Sequence, residues 1–302
     1  MTCPICQNSV QNKINGSFLP KFKYCEVCSG HFLNDSKKPI YLKEYFREKE
    51  SPTLVAKLAK PMLDFFYNQR AKTIENFVNK KNPKILDYGC GSGKLVEQLK
   101  KSGIQINGFE PSTGALNLTK RKNLPVFNYT KRVKGGYDVI MFWHSLEHID
   151  KPFETIKNIK RYLNKNGKLL IAVPNADSFE AKIFKDKWFH YSYPLHAVHF
   201  TPKSAKVMLE KNGFKISKID FLNPEYTISG LVQSFLNVFL PKDVLYSVVS
   251  HRRLTMSMKK AILFFCLSVL LTIFSSPFIL ILFIIELIFK RTGAMVIFAK
   301  NG

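Results

Sequence analysis

Apolar positions along this 302-residue chain change period several times, and the sharpest change lies in Lys84–Leu99, KILDYGCGSGKLVEQL. An apolar run meets an acid, passes Gly89, Gly91 and Gly93, and resumes at helical spacing. That order predicts a buried parallel strand at Ile85–Asp87, a tight loop, and a helix over Lys94–Ser102. A second strand, Ile104–Phe109, is predicted to end at Glu110. Upstream, residues 39–80 repeat Tyr41, Leu42, Tyr45, Phe46, Leu54, Val55, Leu58, Met62, Leu63, Phe65 and Phe66. Pro52 and Pro61 should divide them into short helices that cap a cleft or pack on the sheet. Downstream, Phe214–Leu222 reads as a strand.

Ala261–Phe289 is apolar almost throughout, with Ser268, Thr272, Ser275, Ser276 and Glu286 as its polar members. As one helix it would reach about 43 Å, against a hydrocarbon core of roughly 30 Å. Ser275-Ser276-Pro277 offers a break. Arg252, Arg253, Lys259 and Lys260 flank one end, and Lys290 and Arg291 the other. Positive charge on both flanks favours a re-entrant hairpin or two interfacial helices with both ends cytoplasmic. A single tilted span and a soluble dimer interface are the alternatives. Leu231–Leu240 and Val244–Val249 are further apolar pieces suited to a membrane surface.

Charge adds to this picture. The chain carries 46 Lys and Arg against 22 Asp and Glu, a formal net charge of +24. Such a balance suits nucleic acid, anionic lipid or a phosphorylated substrate, or simply reflects a lysine-rich proteome. No apolar run follows Met1, so the chain is expected in the cytoplasm with reduced thiols. Its six cysteines then read as metal ligands or free thiols. Cys3-Pro-Ile-Cys6 and Cys25-Glu-Val-Cys28 have zinc-ribbon spacing: two CxxC turns complete a tetrahedral S4 site with no open position. The zinc would be structural and supply folding free energy that so short a segment lacks. His31 is a weaker substitute ligand; Cys90 and Cys266 read as small packing residues.

Asp87-x-Gly89-x-Gly91-x-Gly93 lacks the third-glycine spacing of a dinucleotide fingerprint, which sets an NAD-dependent dehydrogenase aside. It resembles motif I of class I S-adenosylmethionine-dependent methyltransferases. Tyr137–Pro152 (YDVIMFWHSLEHIDKP) looks like the fourth strand and turn of the branch that includes ubiquinone and sugar methyltransferases. Gly167–Asn175 resembles the fifth strand, and Trp188–Phe214 the branch's Pro-x-His, Phe-Thr and Gly-Phe stretch. By this resemblance the chain is an α/β protein with a Rossmann-like seven-stranded sheet, helices on both faces, and Met295–Lys300 as the last strand. The implied division is a zinc ribbon at 1–38, a helical cap at 39–82, the methyltransferase core at 83–222, an apolar insertion at 223–293, and a closing strand at 294–302. The family pattern places Asp87, Gly89 and Gly91 at the methionine end of the cofactor, with Gly93 closing the turn. It places Glu110 on the ribose, Asn128 or Tyr129 at the adenine edge, and Trp143 and His144 beside the sulfonium.

Methyl transfer from a sulfonium needs alignment and exclusion of water, and a base if the acceptor is a hydroxyl or an enolisable carbon. His144, His148, His196 and His199 lie near the expected cleft, and His196 is favoured because it matches the Pro-x-His. His144-Ser-Leu-Glu147-His148 departs from His-Glu-x-x-His, so its spacing does not support a catalytic metal. Asn223-Pro224-Glu225-Tyr226 resembles an amino-methylation motif but lacks the second proline and reads as a turn.

Together these features point to a membrane-associated methyltransferase on the cytoplasmic face, using S-adenosylmethionine and a structural zinc. Its acceptor would be a lipid-linked, prenylated or glycan-biosynthesis small molecule methylated on O or C. The rivals are a soluble RNA or protein methyltransferase and a non-catalytic zinc-ribbon binding module. Nucleic acid is disfavoured because it gives the apolar insertion no use. The pattern leaves the oligomeric state open.

Overall fold

A computed structural model describes residues 1–10, 17–33, 54–249 and 256–302. Helix α1 (Leu54–Val78) leads into the sheet. The first half then runs β3 (Lys84–Tyr88), α2 (Lys94–Lys101), β4 (Gln105–Phe109), α3 (Thr113–Arg121) and β5 (Val126–Phe127). The second half adds β6 (Tyr137–Trp143), α4 (Pro152–Ile159), β7 (Leu163–Pro174), α5 (Phe179–Phe184), α6 (Pro202–Lys211) and β9 (Phe214–Asp220). Helices α7 (Pro224–Phe239), α8 (Val244–Val249) and α9 (Met258–Ile288) precede the closing strand β10 (Ala294–Asn301). The seven strands lie in the order β5-β4-β3-β6-β7-β10-β9. β10 is antiparallel to both neighbours, and the pairs from β5 to β7 are parallel.

Both faces of this sheet are covered, which is why its strands read as continuous apolar runs and not as alternation. Leu86, Ile140, Phe142, Leu169, Ile171, Met295 and Ile297 fill one face. Their chain neighbours Ile85, Val139, Met141, Leu170, Ala172, Val296 and Phe298 fill the other. The strand order reverses between β3 and β6, so the loops leaving their carboxyl ends diverge and open a crevice.

The N-terminal unit consists of two cysteine turns and a small antiparallel sheet. Strands β1 (Phe22–Tyr24) and β2 (His31–Leu33) pair with each other, and β2 pairs with β8 (Val198–His199) of the main body. The two turns are built alike. Gln7 N–H donates to Cys3 O at 2.9 Å and Ser29 N–H to Cys25 O at 2.6 Å. Gln7 and Ser29 both adopt the left-handed conformation. Lys211 Nζ donates to Cys6 O at 2.8 Å, docking the unit onto α6.

Two helices correct the expectation that proline breaks them. α1 runs unbroken through Pro61, which lies on the exposed side near its start and forfeits one backbone hydrogen bond. α9 likewise is one helix of 31 residues through Pro277, and not a hairpin. Proline at 277 removes the N–H that would serve Ile273 O. The Ser276 hydroxyl donates to that carbonyl at 2.8 Å instead.

Along α9, Ala261, Ser268, Ile279, Leu282 and Glu286 are buried at heptad-like intervals and face the body of the protein. Glu286 Oε1 accepts the Glu180 N–H at 2.8 Å, and Glu180 Oε1 accepts the Trp188 indole N–H at 2.7 Å. This joint is tight: a Cβ at Gly293 would come within 1.7 Å of Glu180 Oε1. α7 is more than a surface piece, because Leu231 and Leu236 are buried while Val238 and Phe239 are exposed. Cys90 packs beside Gly108 as expected, whereas Cys266 is exposed on α9. Tyr41, Leu42, Tyr45, Phe46, Pro52, Arg252 and Arg253 lie outside the described residues.

Candidate active site

The glycine loop leaves β3 beside the topological switch. Gly89, Gly91 and Gly93 have φ of 84°, 55° and 73°, a region closed to most side chains. At Gly89 there is a second constraint, since a Cβ would stand 2.5 Å from Ser145 Cβ. The Ser145 hydroxyl donates to Tyr88 O at 2.6 Å and so joins the end of β6 to the start of the loop. Nothing in the local pattern around Ser145 announces that role.

Glu110 closes the far side of the loop. Its Oε2 accepts the Gly91 N–H at 2.9 Å and its Oε1 the Ser112 N–H at 2.8 Å. Burial nevertheless raises its pKa. Asp87 is buried at the end of β3, where desolvation first and Glu110 second push its carboxyl up to about 7. A cationic ligand arriving here would favour the ionised form and displace a proton. Asn128 is half-buried just after β5, and Tyr129 beside it is exposed.

Trp143 ends β6, and His144 follows it with φ of 51°. The His144 ring stacks on Tyr226 with centroids 3.7 Å apart. Burial, then Arg70, lowers its pKa to about 3, so it is neutral at physiological pH. Tyr226 stands in the first turn of α7. The Asn223–Tyr226 segment is therefore a helix start facing the crevice, which corrects its reading as a turn. Next to it Glu225 holds Arg70 of α1 through both carboxylate oxygens, one contact being Nε–Oε2 at 2.7 Å. The Arg70 guanidinium lies 5.1 Å from the Tyr226 ring centroid and 5.6 Å from that of Trp143. Arg70, Glu225 and Tyr226 thus form a latch over the β3–β6 crevice. Local sequence gives no hint of it, because its parts come from opposite ends of the core.

A third group forms where the β6 turn meets the loop before β8. One ligand-capable atom from each of Glu147, His148 and His196 lies within 4.8 Å of the others. His148 Nδ1 donates to Leu195 O at 2.9 Å, leaving Nε2 as its lone-pair nitrogen. Glu147 Oε2 and His196 Nδ1 are buried with no hydrogen-bond partner. Burial raises Glu147 to about 7 and holds His196 well below its ordinary value. Of the four histidines expected near the cleft, His148 and His196 are brought together, with rings 4.7 Å apart. His144 reaches Glu147 Oε1 at 3.4 Å from the Tyr226 side. His199 sits on β8, with its ring 5.3 Å from that of His196. The motif spacing from 144 to 148 could not show this cluster, because its third member arrives from a distant loop.

The four ribbon thiols are fully buried and lie within 4.8 Å of one another. Cys3 Sγ is 3.8 Å from Cys28 Sγ, and Cys6 Sγ is 3.7 Å from Cys25 Sγ. Tetrahedral metal–sulfur bonds of about 2.3 Å imply sulfur–sulfur edges of about 3.8 Å, so the set fits zinc. His31 is not part of it; its Nδ1 meets the Ser17 hydroxyl at 2.8 Å.

Residues 62–219 match the family described as Methyltransferase domain. Over 159 residues the chain is 26% identical to a Bacillus cereus protein described as an uncharacterized methyltransferase, covering 48% of this chain and 75% of that one. Over 169 residues it is 27% identical to a Coxiella burnetii ubiquinone biosynthesis O-methyltransferase, covering 50% and 71%. Among solved structures, a putative sarcosine dimethylglycine methyltransferase from Galdieria sulphuraria aligns over 82% of this chain and 88% of its own, with a TM-score of 0.50 at 12% identity. At that identity the likeness concerns the fold alone.

Proposed function

Because this chain belongs to the methyltransferase-domain family and is an S-adenosylmethionine-dependent methyltransferase, we propose that it works at a membrane surface. Its acceptor is a lipid-linked or prenylated small molecule methylated on oxygen or carbon. One observation carries the location. Helix α9 is apolar on every side, yet only one stripe of it packs on the protein. Ile262, Leu263, Leu270, Ile273, Phe278, Leu280, Ile281 and Ile288 are exposed, and Phe274 is 81% exposed. α9 is also the one helix among the described residues long and apolar enough to cross a bilayer. A helix bound lengthwise to a protein by one stripe needs an apolar partner on its other faces, and the upper leaflet of a bilayer supplies one. Lys259, Lys260, Lys290 and Arg291 at its two ends suit anionic headgroups.

In the cleft, Asp87 and the glycine loop receive the cationic methionine end of the cofactor. Glu110 takes the ribose, Asn128 the adenine edge, and Trp143 with His144 line the sulfonium. The Arg70–Glu225–Tyr226 latch excludes water from that end. Glu147, His148 and His196 would hold a divalent cation: two of them present unpartnered buried ligand atoms, and the His148 Nδ1 hydrogen bond fixes its tautomer. When bound, such a cation lowers the pKa of an acceptor hydroxyl. His196 and Glu147 otherwise orient the acceptor oxygen. Titration with Mn2+ followed by electron paramagnetic resonance should show one tight site that Glu147→Gln and His196→Gln each weaken by more than about a hundredfold, since each removes a ligand and loss of a mere outer-shell partner already costs about 10–100-fold. Equal binding by the wild type and both variants would remove the cation.

The reading is tested by supplying purified protein with labelled S-adenosylmethionine and either detergent-extracted lipids or soluble sugar nucleotides. Label should enter the lipid fraction, and membrane-bound protein should stay bound through a high-salt wash. Label in sugar nucleotides alone, or complete release by salt, would overturn the membrane acceptor while leaving the methyltransferase.

A further inference from the structure

Glu180 in the first turn of α5 and Glu286 near the end of α9 are two fully buried acids that meet where α9 joins the body of the protein. Glu286 Oε1 takes the Glu180 N–H and Glu180 Oε1 takes the Trp188 indole N–H, while the Oε2 atom of each has no partner. The surroundings supply no counter-charge. Lys182 and Arg291 both turn to Asp177, at 2.5 and 3.7 Å, and Lys290 is exposed. His190, in the turn Phe189–Tyr191, is kept neutral by burial, which lowers its pKa to about 3. α7 meets the pair at Gly230, which carries no side chain. Two carboxylates in one buried site without a cation cannot both be ionised.

The pair is also joined to the cleft. A Cβ at Gly230 would come 3.4 Å from Glu180 Oε1 and 2.7 Å from His190 Nε2, so the acid, the imidazole and α7 share one contact. That imidazole donates from Nε2 to Tyr226 O at 3.3 Å. Trp188, held by Glu180, lies edge-on to the same imidazole with centroids 5.6 Å apart. Tyr226 in turn stacks on His144. From α9 to the histidine proposed to line the sulfonium, each step is a hydrogen bond or a van der Waals contact.

We propose that Glu180 stands as a neutral carboxylic acid opposite a Glu286 carboxylate, and that this pair positions Tyr226 and His144 for methyl transfer. Burial first and the Glu286 charge second hold the Glu180 carboxyl well above the ordinary carboxylate range. A carboxyl with a native pKa above its unfolded one contributes fully below the ordinary glutamate range, and that contribution is lost as pH rises through the native value. Alkaline pH thus puts a second charge into the joint and parts Glu180 and Trp188 from Glu286. The first turns of α7 then slacken, while Asp87, the glycine loop and Glu110 stay as they are. The inference does not depend on the acceptor or on what covers the outer face of α9.

The test compares the full chain in detergent with its Glu180→Gln variant, because an amide keeps the acceptor for Trp188 and cannot ionise. Infrared difference spectra at neutral pH should show a carboxylic acid C=O band in the wild type that the variant lacks. At mildly acidic pH the two proteins should melt alike and exchange amide hydrogens in 223–232 at equal rates. In alkaline buffer the variant should melt higher and protect 223–232 about tenfold better, the size of one lost buried hydrogen bond. S-adenosylhomocysteine affinity should differ between them by less than about threefold at either pH. Label transfer from S-adenosylmethionine to detergent-extracted lipids should favour the variant by the same tenfold in alkaline buffer and by nothing in acid. Glu180→Leu, which removes the acceptor for Trp188, should loosen 223–232 at every pH; if it does not fold, the wild type and the glutamine variant still decide. No acid band, a variant that melts lower than wild type in acid, or protection of 223–232 in a ratio that does not change with pH would each overturn the inference. Absence of label transfer in both proteins bears on the acceptor alone, and exchange in 223–232 then decides the positioning.

Discussion

Glu110→Ala is expected to weaken S-adenosylhomocysteine binding by about a hundredfold or more and to remove methyl transfer with it. The carboxylate has two tasks that alanine cannot share. It holds the loop, accepting N–H groups of Gly91 and Ser112 at 2.9 and 2.8 Å. In the cofactor site proposed above, its remaining lone pairs take the two ribose hydroxyls. A hydrogen bond to a charged group contributes about 1.5–3 kcal/mol, so losing two of them predicts two to four orders of magnitude in affinity. Calorimetric titration measures this, and circular dichroism with thermal melting checks that the sheet persists. Alanine here also leaves the Gly91 and Ser112 N–H groups without their acceptor, so the melting measurement separates a loosened loop from a lost cofactor contact. An affinity within about threefold of wild type in a folded variant would mean that the ribose is held elsewhere.

Cys25→Ser is expected to release one equivalent of zinc, lower the melting temperature sharply and stop methyl transfer. Structural zinc contributes on the order of 10–16 kcal/mol of apparent binding free energy in small domains, most of it folding free energy. The route from ribbon to cleft is a short chain of hydrogen bonds. Leu33 N–H donates to Ala197 O at 2.9 Å, and β2 pairs with β8 through His31–His199 and Phe32–Val198. Ala197 N–H in turn donates to Glu147 O at 2.8 Å. Loosening the ribbon therefore frees the loop that carries His196 from the turn that carries Glu147 and His148. Inductively coupled plasma mass spectrometry gives the zinc content, and melting and turnover give the consequences. Protein that carries no zinc when prepared without chelators, or a Cys25→Ser variant with unchanged melting and turnover, would refute the role.

The difference between the two variants follows from how each site is encoded. Asp87, the three glycines and Glu110 stand on two successive strands and their loops, so one βαβ unit brings them together whatever else the chain does. The cysteine pairs were equally readable, because each CxxC turn is a local structure and the metal chemistry supplies the reason for the second pair. Period alone marked β3, α2, β4 and β9 to within two residues. The resemblance to the family's closing strand, and not period, marked β10, even though α7, α8 and α9 intervene before the sheet closes.

Elsewhere the same local rules went astray, and for one reason. Proline was expected to end helices at 61 and 277, yet the cost of a single missing hydrogen bond was small. Pro61 faces solvent, and Ser276 satisfies the carbonyl that Pro277 abandons. Leu231 and Leu236 looked interfacial because apolar spacing states that a face is covered and never by what; Leu231 packs in the cluster around Phe184 and Trp188. Arg70 and Glu225 pair across the whole core, and His196 joins Glu147 and His148 only once β8 is pinned to the ribbon.

The sequence by itself thus determined the methyl-donor fold, its glycine loop and the acid that closes the second strand, the four thiols and the presence of an unusually apolar helix, since each depends on neighbours within a turn or two. The tertiary structure decided the latch, the Glu147–His148–His196 cluster and which stripe of α9 is covered. Those depend on distant segments sharing one buried volume, where packing and the satisfaction of polar groups, and not local propensity, set the outcome.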